Sequence, residues 1–270
     1  MKVETLKLVY FSPTGTTRKV ITEIARGIDY GSVEHIDITK PENRKKKLKT
    51  TTDELLIIGV PVYFGRAQAN AIDWLNTVKG CNTPAVCVVV YGNRDYDDAL
   101  LELKEAVLKN GCVPIACAAY IGEHSFSNPE TPIAAGRPDA DDLLHAETFG
   151  KKIREKIISM PSISVINDIS VPGNYPYVDM SDSKKNLSSM DLVTVDSNCA
   201  QCGECAHLCP VGAIDSENSS LVDRNKCILC HACVKHCPRG TRRIKNEMIK
   251  NAACRLSSSL QARKEPTLFL

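Results

Sequence analysis

Over its first 160 residues the chain alternates short apolar runs with stretches of helical period. Leu6-Lys7-Leu8-Val9-Tyr10-Phe11 has the length of a strand and stops at Ser12-Pro13-Thr14-Gly15. Behind it Val20, Ile24 and Ile28 recur four apart, the stripe of an amphipathic helix, with Gly27 and Gly31 at its end. Ser32–Thr39 and Leu55–Val60 read as the second and third strands, Ala85–Tyr91 as the fourth and Val113–Ile121 as the fifth. Helices are expected near Ala69–Val78 and Ala99–Lys109, and Ala146, Phe149, Ile153 and Ile157 mark a last one. The strand runs are apolar throughout instead of alternating, which suits a parallel sheet covered on both faces. The pattern therefore predicts a doubly wound α/β domain of five parallel strands over residues 1–160.

From Met160 to about Met190 the periodicity lapses. Pro161, Pro172, Gly173 and Pro176 punctuate a Ser- and Asp-rich stretch, read as a linker over residues 161–190. Its apolar residues Ile163, Val165, Ile166, Val171, Tyr175 and Tyr177 suggest that it lies against one domain. Residues 191–245 hold an internal repeat: Cys199, Cys202, Cys205, Cys209 and Pro210 recur 28 residues later as Cys227, Cys230, Cys233, Cys237 and Pro238. So short a segment buries little core and needs a staple, which metal would supply. Residues 246–270 read as a basic tail. From Arg239 onward eight Lys/Arg face two Glu, a net of +6, expected either to pack on an acidic surface or to dock a partner.

Composition narrows the class. The 270 residues are 43% apolar and 24% charged, ordinary for a globular protein and unlike a disordered one. The longest uncharged stretch, Gly80–Asn93, is 14 residues, too short for a membrane span, and the first residues lack the apolar core of a secretory signal. A net charge of +2 argues against nucleic acid as the main partner. Of 13 cysteines, eight fall between Cys199 and Cys237. In the expected cytoplasmic setting thiols stay reduced, so the cluster points to metal ligands.

C-x2-C-x2-C-x3-C-P, present twice, is the spacing of bacterial ferredoxin cubes, whose fourth cysteine ligates the other cluster. Three thiolates at i, i+3 and i+6 let one loop wrap a cube, while the fourth iron takes its ligand from elsewhere; soft thiolates suit iron–sulfur centres. The first [4Fe-4S] cluster would take Cys199, Cys202, Cys205 and Cys237, and the second Cys227, Cys230, Cys233 and Cys209. A pair of zinc sites is the competing reading, although structural zinc usually uses two separated ligand pairs. From Val193 to Ile244 the segment resembles the two-[4Fe-4S] ferredoxins, which implies a small α+β domain. It departs from them at Arg239-Gly240-Thr241-Arg242-Arg243. Cys87 and Cys117 are expected as core residues, and His207, His231 and His236 as incidental.

Ser12-Pro13-Thr14-Gly15-Thr16-Thr17 ends the first strand and opens the first helix, where backbone N–H groups and hydroxyls can hold a phosphate. With no Walker lysine and no G-x-G-x-x-G, a triphosphate or dinucleotide is disfavoured, while a plain N-cap cluster stays open. Two further loops, Tyr63-Phe64-Gly65 and Tyr91-Gly92-Asn93 with Tyr96, follow the third and fourth strands, at the edge where open α/β sheets bind ligands. Four of the chain's 14 aromatics lie there, as a planar ring would need. Gly122–Phe126 and Gly136–Asp139 read as a long surface loop or, alternatively, as a cover for the same site. Ser12, Thr14, Gly15 and Thr17 match the phosphate loop of the flavodoxins, which the segment Lys7–Met160 resembles. The resemblance implies a flavodoxin-like fold and FMN, flanked by the Tyr63 and Tyr91 loops. Taken whole, the chain resembles flavodoxin–ferredoxin fusions of anaerobic microbes.

The expected activity is electron transfer: FMN takes one or two electrons and each cluster passes one at a time, with redox proteins as transient partners. No acid–base pair or nucleophile stands out. The alternative is a flavin-dependent oxidoreductase that reduces a small acceptor with electrons entering through the clusters.

Overall fold

A computed structural model describes residues 3–162, 168–179 and 193–270. Ile163, Val165, Ile166 and residues 180–192 of the expected linker and second domain lie outside the described residues.

The five expected strands are present as β1 (Thr5–Tyr10), β2 (Ser32–Asp37), β3 (Glu54–Tyr63), β4 (Thr83–Tyr91) and β5 (Cys112–Ile121). They are parallel and run in the order β2-β1-β3-β4-β5, the flavodoxin-like doubly wound order. All nine residues of β4 are buried, as the lack of alternation required. Helices α1 (Thr16–Ile28), α2 (Ala69–Leu75), α3 (Ala99–Lys109) and α4 (Ala140–Ser159) cover the two faces. Val20, Ile21, Ile24 and Ile28 of α1 and Phe149 and Ile153 of α4 pack on Leu6, Leu8, Ile57 and Val88. Leu100 and Leu103 of α3 and Trp74 of α2 cover Val9, Ile58 and Val89 on the other face. Two glycines let α1 and α4 touch backbone to backbone. A Cβ at Gly27 would stand 1.9 Å from the Glu147 carbonyl oxygen, and one at Gly150 2.1 Å from that of Ile24.

The cysteine-rich segment is a small α+β lobe. β6 (Val193–Val195) pairs antiparallel with β7 (Arg242–Ile244), and two short helices, α5 (Glu204–Leu208) and α6 (Ala232–Lys235), carry the third cysteine of each repeat. The lobe does not float. Ile228, Cys230 and Ala232 are buried in the same cluster as the α3 face of the sheet. Arg44 donates to the Pro210 carbonyl at 2.9 Å, and Lys40 meets His207 at 2.9 Å, so His207 has a role across the contact.

The C-terminal stretch corrects the sequence reading. Residues 246–270 form α7 (Glu247–Ser259) and β8 (Thr267–Phe269), and β8 pairs antiparallel with β5. The sheet thus gains an antiparallel edge strand, as well as a short hairpin return, Arg66–Ala67, on β3. The physical reason is that β5 is apolar along both faces and would otherwise present its unpaired N–H and C=O groups at an edge. The tail's charges serve this docking: Arg263 pairs with Asp139 at 2.6 Å, and Arg137 donates to the Lys264 carbonyl at 2.7 Å.

The described part of the linker packs along α3. Ile169 is buried in the sheet core, Lys104 donates to its carbonyl at 2.8 Å, and Asp98 accepts from the backbone N–H of Asn174 and Val178 at 2.8 and 2.7 Å. Among the described residues no helix is long and apolar enough to cross a membrane.

Candidate functional site

The loop after β1 turns into α1 through Gly15, whose φ of 83° is left-handed and easy only for glycine. The Ser12 hydroxyl accepts from the Arg18 N–H at 3.1 Å, which ties the loop to the first helical turn. Thr14 and Thr16 face a cleft, whereas the Thr17 hydroxyl is buried without a protein partner. A buried hydroxyl left unpaired costs about 1–3 kcal/mol unless something else satisfies it. In a strand–turn–helix setting, that orphan fits a phosphate oxygen.

The cleft measures about 420 Å³ and lies at the carboxyl ends of the parallel strands. Thr14, Thr16, Tyr63, Phe64, Gly65, Tyr91 and Gly92 line it. Besides Thr17, four expected residues do not line it. Asn93 donates its amide to the Leu260 and Ala262 carbonyls at 3.0 and 3.2 Å, so it clamps the C-terminal stretch. Tyr96 meets Tyr91 edge-on, ring centroids 5.4 Å apart, and supports that ring from outside the cleft. Gly15 and Ser12 shape the loop without lining the void.

The Gly122–Phe126 loop, read from sequence chiefly as surface, is a wall of the cleft. A Cβ at Gly92 would come 2.2 Å from His124 Cδ2, so this glycine is what lets the imidazole lie flat on the loop. His124 Nδ1 accepts the Phe126 N–H at 3.0 Å. Burial first, then Lys235 and Arg94, lowers His124 to about 4, which keeps the ring neutral. The structure thus takes the alternative reading of this loop, as a cover for the site; its local signal is Gly122, directly after β5, before a cluster of polar and aromatic residues.

A second, more enclosed cavity of about 210 Å³ lies in the small lobe. Cys209, Cys227, Cys230 and Cys233 all line it, so the last thiol of the first repeat stands with the first three of the second. The volume is about seven times one water's ~30 Å³ share of the liquid. Burial pushes the Cys230 thiol well up and raises Cys233 to about 11, despite Arg242 beside the latter. Such thiols ionise only against a strong positive partner, which is what metal provides. On the other side, adjacent residues hold two thiols of the first set: Thr241 Oγ1 is 3.4 Å from Cys237 Sγ, and Arg242 Nη1 is 3.5 Å from Cys205 Sγ. Burial opposes ionisation of Cys237, yet the Thr241 hydroxyl and the N–H groups of Arg239, Arg242 and Thr241 hold it down at about 7. Cys202 is exposed.

The two cavities meet. Ile228, Leu229 and Cys230 line both the cleft and the thiol cavity. Tyr63, in the cleft wall, has its phenol pushed well up by burial and then by Cys230. His231, the following residue, is buried with its ring 5.2 Å from that of Phe126. Cys87 and Cys117 are buried sheet residues, as expected.

Residues 198–244 match the 4Fe-4S dicluster domain family. Forty-six residues, 16% of this chain, are 48% identical to a probable iron–sulfur protein of the Frd operon of Proteus vulgaris, and they take in 29% of that protein. Among solved structures, a flavodoxin from the domain Archaea is similar over 57% of this chain and 99% of its own, at 15% identity and a TM-score of 0.38. A Fusobacterium nucleatum flavodoxin bound to flavin mononucleotide is similar over 56% of this chain and 98% of its own, at 15% identity and a TM-score of 0.39. From its strand order and its dicluster match, the chain joins a flavodoxin-like α/β domain to a 4Fe-4S dicluster domain.

Proposed function

We propose that the protein is an electron-transfer flavo-iron-sulfur protein that relays electrons between FMN and two [4Fe-4S] clusters, and between these and redox partner proteins. The observation that carries this is the shared wall: Cys230, a ligand of the second cluster in this reading, also borders the cleft for the flavin. FMN exchanges one or two electrons and each cluster one, so together they convert between paired and single transfers. The chain's residues supply placement. Thr14, Thr16, Thr17 and the N-terminus of α1 would hold the phosphate, and the Tyr63–Gly65, Tyr91–Gly92 and Gly122–Phe126 walls would flank the ring. Cys209, Cys227, Cys230 and Cys233 would hold the inner cluster, and Cys199, Cys202, Cys205 and Cys237 the outer one. The exposed Cys202 makes the outer cluster the port for a partner, and the apolar Ile228 and Leu229 keep water from the junction.

A cube fits the thiol cavity better than a single ion does. Among the described residues no three His, Cys, Asp or Glu side chains are close enough to hold one metal, whereas four thiols ring a void. The test is anaerobic purification with iron, sulfide and flavin analysis, followed by rapid mixing with a low-potential donor. About eight irons and one FMN per chain, with flavin reduction independent of protein concentration, supports the reading. Zinc without sulfide overturns it.

A further inference from the structure

Among the described residues, the small lobe buries a cation that no acid balances. Arg242 is 3% exposed, and among the described residues no carboxylate pairs with it. Its contacts are neutral or sulfur: Nη1 donates to the Ser219 carbonyl at 2.6 Å and to Cys205 Sγ at 3.5 Å, and Nε is buried with no protein acceptor. The other buried arginine, Arg137, shows the usual solution, with Nε 2.8 Å from Asp142 Oδ2 in a two-pronged ion pair. A desolvated guanidinium without such a partner costs several kcal/mol. Something anionic must stand beside Arg242 in the working protein.

Its position says what. Arg242 lines the cavity of Cys209, Cys227, Cys230 and Cys233 while touching Cys205 of the other thiol set. Resting on the two-cluster reading above, we infer that Arg242 is a positioning residue lodged between the clusters. It balances the negative charge of both and donates Nε to sulfur. A fixed positive charge, shielded from water, favours the more negative, reduced form of each cluster, and so raises both potentials. It also places the two within reach of one charge, so a change at Arg242 moves them together. Arg243 beside it is exposed and faces water, where a charge is screened.

The test is anaerobic potentiometry followed by EPR, on the full-length holoprotein and its Arg242→Gln, Arg242→Lys and Arg243→Gln variants, with iron and sulfide counted in each. Arg242→Gln is expected to lower both cluster potentials by at least a tenfold change in the reduced-to-oxidised ratio, about 59 mV for a one-electron couple. The shift should persist at 0.5 M salt. Arg242→Lys keeps charge but loses the fork, and should fall between wild type and Arg242→Gln; Arg243→Gln should match wild type. Because EPR reads only clusters that are present, partial loading leaves the measurement intact. Where Arg242→Gln loads none, a lowered pair of potentials in Arg242→Lys supports the assignment. Potentials unchanged in Arg242→Gln, or in Arg242→Lys where Arg242→Gln loads none, overturn it, as does an equal shift from Arg243→Gln. A wild-type protein without iron and sulfide overturns the cluster reading and, with it, the counter-charge for Arg242.

Discussion

Glu123 and Lys235 form an ion pair of 2.5 Å that joins the wall of the cleft to the short helix carrying Cys233. Neither side chain is fully exposed, at 31% and 18%. The pair therefore locks the two lobes at the point where their cavities meet. Lys235→Met should weaken that lock by about 1 kcal/mol. Amide hydrogen exchange in Gly122–Phe126 should then rise about fivefold, and flavin reduction through the clusters should slow. Unchanged protection would assign the docking to the other contacts, the buried Ile228 and Ala232 and the Arg44 and Lys40 bonds.

The same pair carries a pH dependence. Burial raises the Glu123 carboxyl, but Lys235 and the Gly136 N–H outweigh it and hold the group below its ordinary value. A depressed carboxyl contributes stability that is complete above the unfolded value, near 4.3, and lost as pH falls through the folded one. The difference in protection between wild type and Lys235→Met should be constant from pH 6 to 7 and shrink below roughly pH 4.

Exchange of the fourth thiol between repeats gives a pairing test. Because Cys209 shares a cavity with Cys227 and not with the rest of its own run, Cys209→Ala and Cys227→Ala should remove the same EPR signal and about four irons. Cys237→Ala should remove the other. If Cys209→Ala instead mimics Cys199→Ala, each run holds its own cluster.

At the cleft, Gly92→Ala is expected to displace His124, since the added methyl would overlap the imidazole. FMN affinity, measured by fluorescence quenching of the apoprotein, should fall at least tenfold with little loss of stability, because the site lies at the rim of the sheet. An unchanged affinity would mean that His124 does not border the ring.

Asp142→Asn isolates a structural element. It leaves Arg137 buried without its acid, at a cost of about 3–5 kcal/mol, and frees the start of α4 and the contact to Arg263. Denaturant unfolding should show that loss, with cluster content unaltered at low denaturant.

The sheet was legible because β4 and β5 are apolar without interruption and α3, Ala99–Lys109, has the bounds its period predicts. The cysteine spacing predicted that Cys209 would stand with the second repeat, since a three-thiol loop leaves one iron to be reached from elsewhere. The clamp at Asn93 was not legible because its acceptors, Leu260 and Ala262, are some 170 residues away and no local pattern reports them. β8 was missed for a related reason. Three residues, Thr267–Phe269, have no period of their own, and only the open edge of β5 makes them a strand. His124 entered the cleft through a missing side chain at Gly92, a relation between loops 30 residues apart.

The pairing of Thr267–Phe269 with Cys117–Ala119 has a consequence for how the molecule is made. Synthesis delivers the five parallel strands first, but the outermost ladder of the sheet stays incomplete until Thr267–Phe269 emerge. The cysteine-rich segment, which lies before them in the chain, is by then already made. A chain without those three residues would leave the N–H and C=O groups of β5 as an open edge, a template for pairing with another chain.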